Sequence, residues 1–360
     1  VCGKEYPNTF QMSRCRMGDD CKPLVEEVEV SFSFETAKAA SIEKYKWDKH
    51  GIDGVHHSMG GLGSLGVFLL NLKNDAGVIV MKQGAISSAA ELFCSLLYKD
   101  LKLAAPGVRI LNEGEYKKII KQLGDVAFTT PGGGDHLQSR AGQRGAMLME
   151  FGAGVTLKHP SIKPMLENPA KAKQLLEQFG NLIAADMLVN NFDRSPAIWK
   201  HEGNANNILI EDTEAGVIVT AIDQAVTPII NEEFGDDRIE VYLVNVRQMC
   251  DEAVSKDFEG PCTQKIRAFL QNYVGHDIGD TGCAYIHQGI VDTCITIGLY
   301  HDFDRLYSQA SSMFSEAGWG TPGLTALNVP FLERVAEAIS ECVAKVSGSK
   351  SENESEAKKD

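Results

Sequence analysis

Three side chains suited to phosphoryl transfer stand in order within one stretch, Asn190 to Asp223. Asp193 sits in a polar turn after an apolar helical run, Asn207 directly precedes the apolar triplet Ile208, Leu209 and Ile210, and Asp223 follows a second apolar run, Val217 to Ile222. Moving a γ-phosphoryl group to a hydroxyl needs a group that accepts or orients the hydroxyl proton. It also needs hard oxygen ligands that hold Mg²⁺ against the nucleotide phosphates. Asp193 fits the first role, and Asn207 and Asp223, at the ends of two adjacent strands, fit the second. Asn and Asp are also ordinary turn residues, so these three alone leave both readings open.

The elements that must position them begin upstream. In GGLGSLGVF, Gly61, Gly63, Ser64 and Gly66 fit the glycine-rich loop that covers nucleotide phosphates in kinases, with Phe68 where Val is usual. The same glycines fit a dinucleotide fingerprint, which requires a helix to start there. Val67 to Leu72 is instead a β-branched and aromatic run that ends in the turn Asn74-Asp75-Ala76-Gly77, so a hairpin is expected. Glycine lets backbone N–H groups approach phosphate oxygens without a Cβ in the way; a plain flexible turn is the alternative. The next strand, Val78-Ile79-Val80-Met81-Lys82, is similar to the Val-Ala-Ile-Lys strand whose Lys reaches the phosphates. Glu91, on a helix expected over Ile86 to Leu101, is placed to pair with Lys82. A solvated strand end and an exposed helical Glu are the bland alternatives.

Further along, the pattern reads as a strand over Pro106 to Leu111, a helix over Glu115 to Leu123 and a glycine-rich loop over Pro131 to Gly145. Ala146 to Phe151 is a buried strand leading into Gly152-Ala153-Gly154, a flexible connection of the kind that forms a hinge. Backbone groups of Glu150, Phe151 and Gly152 would then bind the adenine edge, with Met147 or Met149 facing the base or simply filling core. Earlier, Val28 to Phe34 alternates like an edge strand and Glu35 to Asp48 reads as a short helix. Pro169 to Val189 carries a helical apolar stripe that delivers Asp193 at its end. Helices are expected over Asp236 to Val254, Thr263 to Tyr273, Gly282 to Phe314 with interruptions, and Phe331 to Val346. A strand-rich first half before a helix-rich second half predicts an α+β protein of two lobes. Residues 1–151 form the small β-rich lobe in this reading, 152–346 the larger, mainly helical catalytic lobe, and 347–360 a disordered tail or linker.

Composition narrows the function classes. With 360 residues, 43% of them hydrophobic, the chain can bury a full core. No apolar run approaches the roughly 18 to 20 residues of a membrane-spanning helix. Nine cysteines without a Cys-x-x-Cys pair point to reduced thiols and a cytosolic setting, with structural zinc not expected. A net charge of −14 argues against nucleic acid or an anionic membrane as partner.

Together GGLGSLGVF, VIVMK, Glu91, NNFDR, NNILI and AIDQ resemble the catalytic domain of the actin-fragmin kinase family, an atypical branch related to both protein kinases and phosphoinositide kinases. The likeness spans nearly the whole chain. It implies a two-lobed protein kinase-like fold with ATP and Mg²⁺ between the lobes. It also implies transfer of phosphate to threonine of actin in its complex with fragmin, regulating filament capping and growth in the cytoplasm. In that family a kelch-repeat region follows the kinase domain; no such repeats occur here, so the chain reads as a fragment ending in the linker.

Departures from ordinary protein kinases stand beside the likeness. Asn207 comes fourteen positions after Asp193, nine more than the usual five. The added residues, with Trp199, Lys200 and His201, either contact substrate or cover the site, and His201 reads as a surface residue. Asp193-Arg194 replaces His-Arg-Asp and is similar to the Asp-Arg of phosphoinositide kinases; Asp223-Gln224-Ala225 replaces Asp-Phe-Gly. A switch built on a phosphorylated activation segment is therefore not expected. A lipid kinase is the first alternative, disfavoured by Glu232, Glu233, Asp236 and Asp237 after Asp223. A non-catalytic nucleotide-binding scaffold is the second, disfavoured because Lys, base and metal-ligand candidates are all present.

Overall fold

Val67–Leu72 (β2) folds back on Gly77–Gln83 (β3) as the expected hairpin, with Val67 opposite Lys82 and Leu72 opposite Gly77. The computed structural model describes residues 37–42, 47, 51–57, 66–74, 76–124, 126, 145–230, 236–300, 302–320, 324 and 327–356. With Ile52–His57 (β1), Val108–Ile110 (β4) and Ala146–Glu150 (β5), the hairpin builds a five-stranded antiparallel sheet in the order β1-β2-β3-β5-β4. Period-two alternation divides its residues between two faces. Phe68, Leu70, Ile79, Met81 and Leu148 pack against Trp47 and against Tyr116, Ile119 and Leu123 of helix α2, Glu113–Leu123. The other face carries Leu69, Val78, Val80 and Met149, and Lys82 stands on it opposite Met147. Helix α1, Ala85–Asp100, connects β3 to β4 and buries Leu92, Phe93, Leu97 and Tyr98 in the larger core.

After β5 the chain enters a second sheet, Val155–Thr156 (β6), Ile208–Thr213 (β7) and Gly216–Ala221 (β8), again antiparallel. Helix α3, Ile162–Glu167, precedes α4, Pro169–Val189, whose start is set by Asn168 accepting from the Ala170 and Lys171 amides and by Pro in the first turn. It stops at Asn190, whose φ of 52° is left-handed. Helices α5 (Asp236–Ser255), α6 (Pro261–Val274), α7 (Gly279–Gly298), α8 (Phe303–Glu316) and α9 (Val329–Glu356) complete the fold. Helices α4 and α7 cross closely: a Cβ on Gly180 would lie 2.1 Å from the Ile286 carbonyl oxygen, and one on Gly289 would lie 2.0 Å from that of Glu177. Among the described residues, no helix is long and apolar enough to cross a membrane.

The result is a mixed fold of a sheet-built first part and a helical second part, consistent with the expected kinase-like two-lobed architecture. Two local features differ from expectation. The helix over Glu35 to Asp48 is absent where residues are described: Ala39 bridges to Val78, and Trp47 lies in a turn. Strand β5 ends opposite Ile79, leaving Val78 without a partner on that side. Lys38 and Ala40 supply one, with the Val78 amide donating to Lys38 O at 2.8 Å and the Ala40 amide to Val78 O at 3.0 Å. Strand β1, with Gly and two His among its six residues, carries little strand signal in its sequence. Helix α9 runs with helical backbone to Glu356, into the stretch 347–360. The edge strand over Val28 to Phe34 lies outside the described residues, as does the Pro131 to Gly145 loop except for Gly145.

Candidate active site

Lys82 ends β3 on the sheet face that looks toward the second sheet, and α1 presents Glu91 to it. Both side chains are buried and form an ion pair, while Lys82 also donates to Asp223 Oδ1 at 2.7 Å. Burial works to lower the Lys82 pKa, but Glu91 and Asp223 outweigh it and the net shift is upward, so the ammonium stays charged. Burial pushes the Glu91 carboxyl up, opposed by Lys82. The backbone amide of Gln224 also donates to Glu91 Oε1 at 3.0 Å. That bond ties α1 to the residue immediately after Asp223.

Asp193 and Asn207 meet in the same region. Asn207 Nδ2 donates to Asp193 Oδ2 at 2.9 Å, and the Ile222 amide donates to Asn207 O at 3.1 Å. The hairpin β7–β8 therefore sets Asn207 beside the residue that precedes Asp223, although Asn207 comes fourteen positions after Asp193 in the sequence. Asp223 adopts a left-handed φ of 57°, uncommon for a residue with a side chain, and its side chain is 48% exposed. With Asn207 Nδ2 on Asp193 and Asp223 Oδ1 on Lys82, Asn207 Oδ1 and Asp223 Oδ2 remain as oxygen donors. Hard oxygens of this kind suit Mg²⁺. Among the described residues, no group of three or more His, Cys, Asp and Glu side chains gathers as a metal site. Any ion here would take its remaining ligands from phosphate or water.

Leu69, Val80 and Met149 line the sheet face that carries Lys82, joined by partly buried Val67, Val108 and Phe151. Gly152, which follows this strand, packs close to Leu209 and Ile222: a Cβ on it would sit 2.4 Å from Leu209 Cδ1 and 3.7 Å from Ile222 Cγ2. This apolar layer suits a flat aromatic base, and Met149 lies on it. Met147 is fully buried in the larger core. Of the three expected base-edge residues, Glu150 has its amide committed to Gly107 O at 3.0 Å, and its carboxylate accepts from the Gly107 amide at 2.9 Å. Gly66 lies in a turn whose carbonyl accepts from the Gln83 amide at 3.0 Å. Gly61, Gly63 and Ser64 lie outside the described residues.

One residue central to this geometry had no role assigned from the sequence. Arg194 is fully buried and ion-paired with Asp186, itself fully buried on α4. Its guanidinium also donates to Asn207 O at 3.2 Å, Ile222 O at 3.0 Å and Gln224 Oε1 at 2.7 Å. Tyr98 of α1 donates to Asp186 Oδ1 at 3.2 Å. Arg194 thus holds the chain at both proposed metal ligands, and through Asp186 it reaches α1. Burial pushes the Asp186 carboxyl up to about 6, with Arg194 acting in the opposite direction, so the pair is ionised at neutral pH. The sequence signal is Arg directly after Asp193; an Asp seven residues before Asp193, on the buried side of a helix, gives none.

An antiparallel sheet carrying a buried Lys–Glu pair, set against a helical part that presents Asp, Asn and Asp at loop and strand ends, defines a kinase-like phosphotransferase fold. Residues 26–294 match the family described as actin-fragmin kinase, catalytic, and the chain belongs to that family. A Dictyostelium discoideum protein bearing the provisional name actin-fragmin kinase is 23% identical over 296 residues, which cover 77% of this chain and 70% of that protein.

Proposed function

We propose that this chain is an ATP- and Mg²⁺-dependent serine/threonine protein kinase that phosphorylates threonine of actin in its complex with fragmin. It would act in the cytoplasm on filament capping and growth. The observation that carries the catalytic part is the single connected network Glu91–Lys82–Asp223, joined through Ile222 and Asn207 to Asp193. The acceptor rests on the family and on the name of its Dictyostelium relative.

In this reading Lys82 neutralises phosphate charge and Glu91 holds it there. Asp193 accepts or orients the hydroxyl proton, and its bond from Asn207 Nδ2 fixes the carboxylate's direction. Asn207 Oδ1 and Asp223 Oδ2 would hold Mg²⁺, which when bound offsets charge on the phosphate oxygens. Leu69, Val80 and Met149 from one side, with Leu209 and Ile222 from the other, would enclose the base. Gly152 leaves that slot open.

The test is transfer of labelled phosphate from Mg-ATP to actin–fragmin complex, free actin and phosphoinositide vesicles in parallel, with Asp193→Asn as control. Labelled actin in the complex is expected. The control should lose roughly 10² to 10⁴ in turnover, the usual worth of general-base assistance. Labelling of lipid alone, or full turnover by Asp193→Asn, would refute the reading.

A further inference from the structure

The residues added between Asp193 and Asn207 fold back on the catalytic turn. Trp199 Nε1 donates to Asn190 Oδ1 at 2.9 Å, Lys265 Nζ to Trp199 O at 3.1 Å, the Gly203 amide to His201 Nδ1 at 3.0 Å and Tyr273 Oη to Gly203 O at 3.3 Å. These bonds fix a row of rings. Trp199 stacks on His201 with centroids 6.1 Å apart, and His201 meets Phe192 edge-on at 5.9 Å. Phe192 is 44% exposed although it directly precedes Asp193. A large apolar ring at the lip of a proton-accepting carboxylate is costly to leave in water, and the row behind it keeps it from folding inward.

Whatever hydroxyl reaches Asp193 must bring its neighbouring groups across this ring. The charge around it is local and opposite to that of the whole chain. Exposed Lys200 and Lys265 flank Trp199, and Lys158 stands over the Tyr273 ring, 4.9 Å from its centroid, with Glu202 the one carboxylate inside the added segment. The chain as a whole carries −14. Burial lowers the His201 pKa against the opposing influence of Asp193, so the ring is neutral at physiological pH and adds no cation to the group.

We propose that Phe192, backed by His201 and Trp199, is the seat for the acceptor polypeptide: it takes a bulky apolar side chain beside the acceptor hydroxyl, while Lys200 and Lys265 favour an acidic stretch next to it. This rests on the protein-kinase reading above. The nine additional residues then serve acceptor choice, which is why the segment departs from the short catalytic loop while Asp193 and Asn207 stay bonded.

Steady-state transfer to the actin–fragmin complex tests the seat, with the Michaelis constants for acceptor and for ATP measured separately. Phe192→Ala should raise the acceptor KM about five- to tenfold, the range expected when about half of a Phe surface is no longer buried on binding. The ATP KM should stay the same, and Phe192→Leu should restore most of the acceptor affinity. Lys265→Glu should raise the acceptor KM and weaken its dependence on salt. An unchanged acceptor KM in Phe192→Ala overturns the seat, and so does a parallel rise in both constants, which would make the row a mere prop for the cleft. An unchanged KM in Lys265→Glu overturns the acidic preference. If the wild-type chain labels no acceptor, the kinase reading itself fails and the seat falls with it.

Discussion

Removing Arg194 separates what that residue does for stability from what it does for chemistry. Arg194→Met keeps bulk but leaves Asp186 without its cation in a fully buried position, a loss of about 3 to 5 kcal/mol for a broken buried pair. The loss should lie at the low end of that range, because Asp186, already raised to about 6, can take up a proton and become neutral. Asp186→Leu has no such escape, since a guanidinium does not deprotonate in a protein, so it should be the more damaging single change, at about 5 kcal/mol. In the double variant both charges are gone. What remains are four groups that lose a partner, Tyr98 Oη, Ile222 O, Gln224 Oε1 and the buried Asn191 side-chain oxygen, while Asn207 O keeps its bond from the Ile222 amide. At about 1 kcal/mol each, the double variant should be about 4 kcal/mol less stable than wild type, against a sum of about 8 for the two single changes. Urea unfolding of all four proteins gives the cycle. Phosphate transfer at a temperature where each is folded gives the chemistry. With the Arg194 bonds to Asn207 O and Ile222 O gone and Ile222 O left without a partner, displacement of the two proposed metal ligands by about 1 Å should cost on the order of 10²-fold in kcat even in the double variant. A double variant with wild-type kcat would refute the positioning role, and additive stabilities would refute the buried pair.

Three further outcomes follow from the same contacts. Lys82→Met leaves Glu91 buried with the Gln224 amide as its remaining partner; transfer should fall about 10²-fold or more by loss of a donor to the developing charge, read as kcat at saturating ATP. Because Glu91 is already bonded to Lys82 and Gln224, phosphatase treatment should leave activity unchanged, and a large fall would contradict preassembly. Buried His287 has its pKa lowered to about 4 by burial. Between pH 6.5 and 4 the unfolded chain binds a proton there that the folded chain does not. This stabilisation is therefore complete above pH 6.5 and is lost as pH falls, by about 3 kcal/mol for the full shift. Urea midpoints at pH 7 and pH 4.5 should show that slope, and His287→Gln should flatten it.

The hairpin over residues 67–83, α1, and the helix that leads to Asp193 were legible because each combined a clean period with a local stop or start signal: the Asn74–Gly77 turn, and Asn168 with Pro169. The Lys82–Glu91 contact was legible from the order of elements. The buried Asp186–Arg194 pair was not, because nothing in the neighbouring residues marks a carboxylate as inward-facing on a helix that buries most of its surface. The bridge from Ala39 to Val78 was also out of reach of local reading, since it depends on where β5 ends, more than a hundred residues later. The alternation of β3 showed apolar residues on both faces, and only pairing with β2 and β5 separates the face that fills the core from the face that carries Lys82.

Gln224 stands where the kinase pattern has the Phe of Asp-Phe-Gly, and its bonds hold α1 in a way that a Phe would not. A Phe contributes packing, which a helix shift can undo at modest cost. Gln224 instead donates its backbone amide to Glu91 at 3.0 Å, accepts from Arg194 at 2.7 Å and donates its side-chain amide to Ala221 O at 2.8 Å. Withdrawing α1 would break the first bond and leave Lys82, Glu91 and Asp223 to find new partners, at about 1 to 3 kcal/mol for each buried polar group left unpaired. With several such groups involved, the withdrawn state would be populated well below one part in a hundred. If the chain is the protein kinase proposed above, its control would fall on access of the acceptor to Asp193, where Phe192 and the lysines beside it stand exposed, and variants at Phe192 should change which proteins are phosphorylated without changing how ATP is bound.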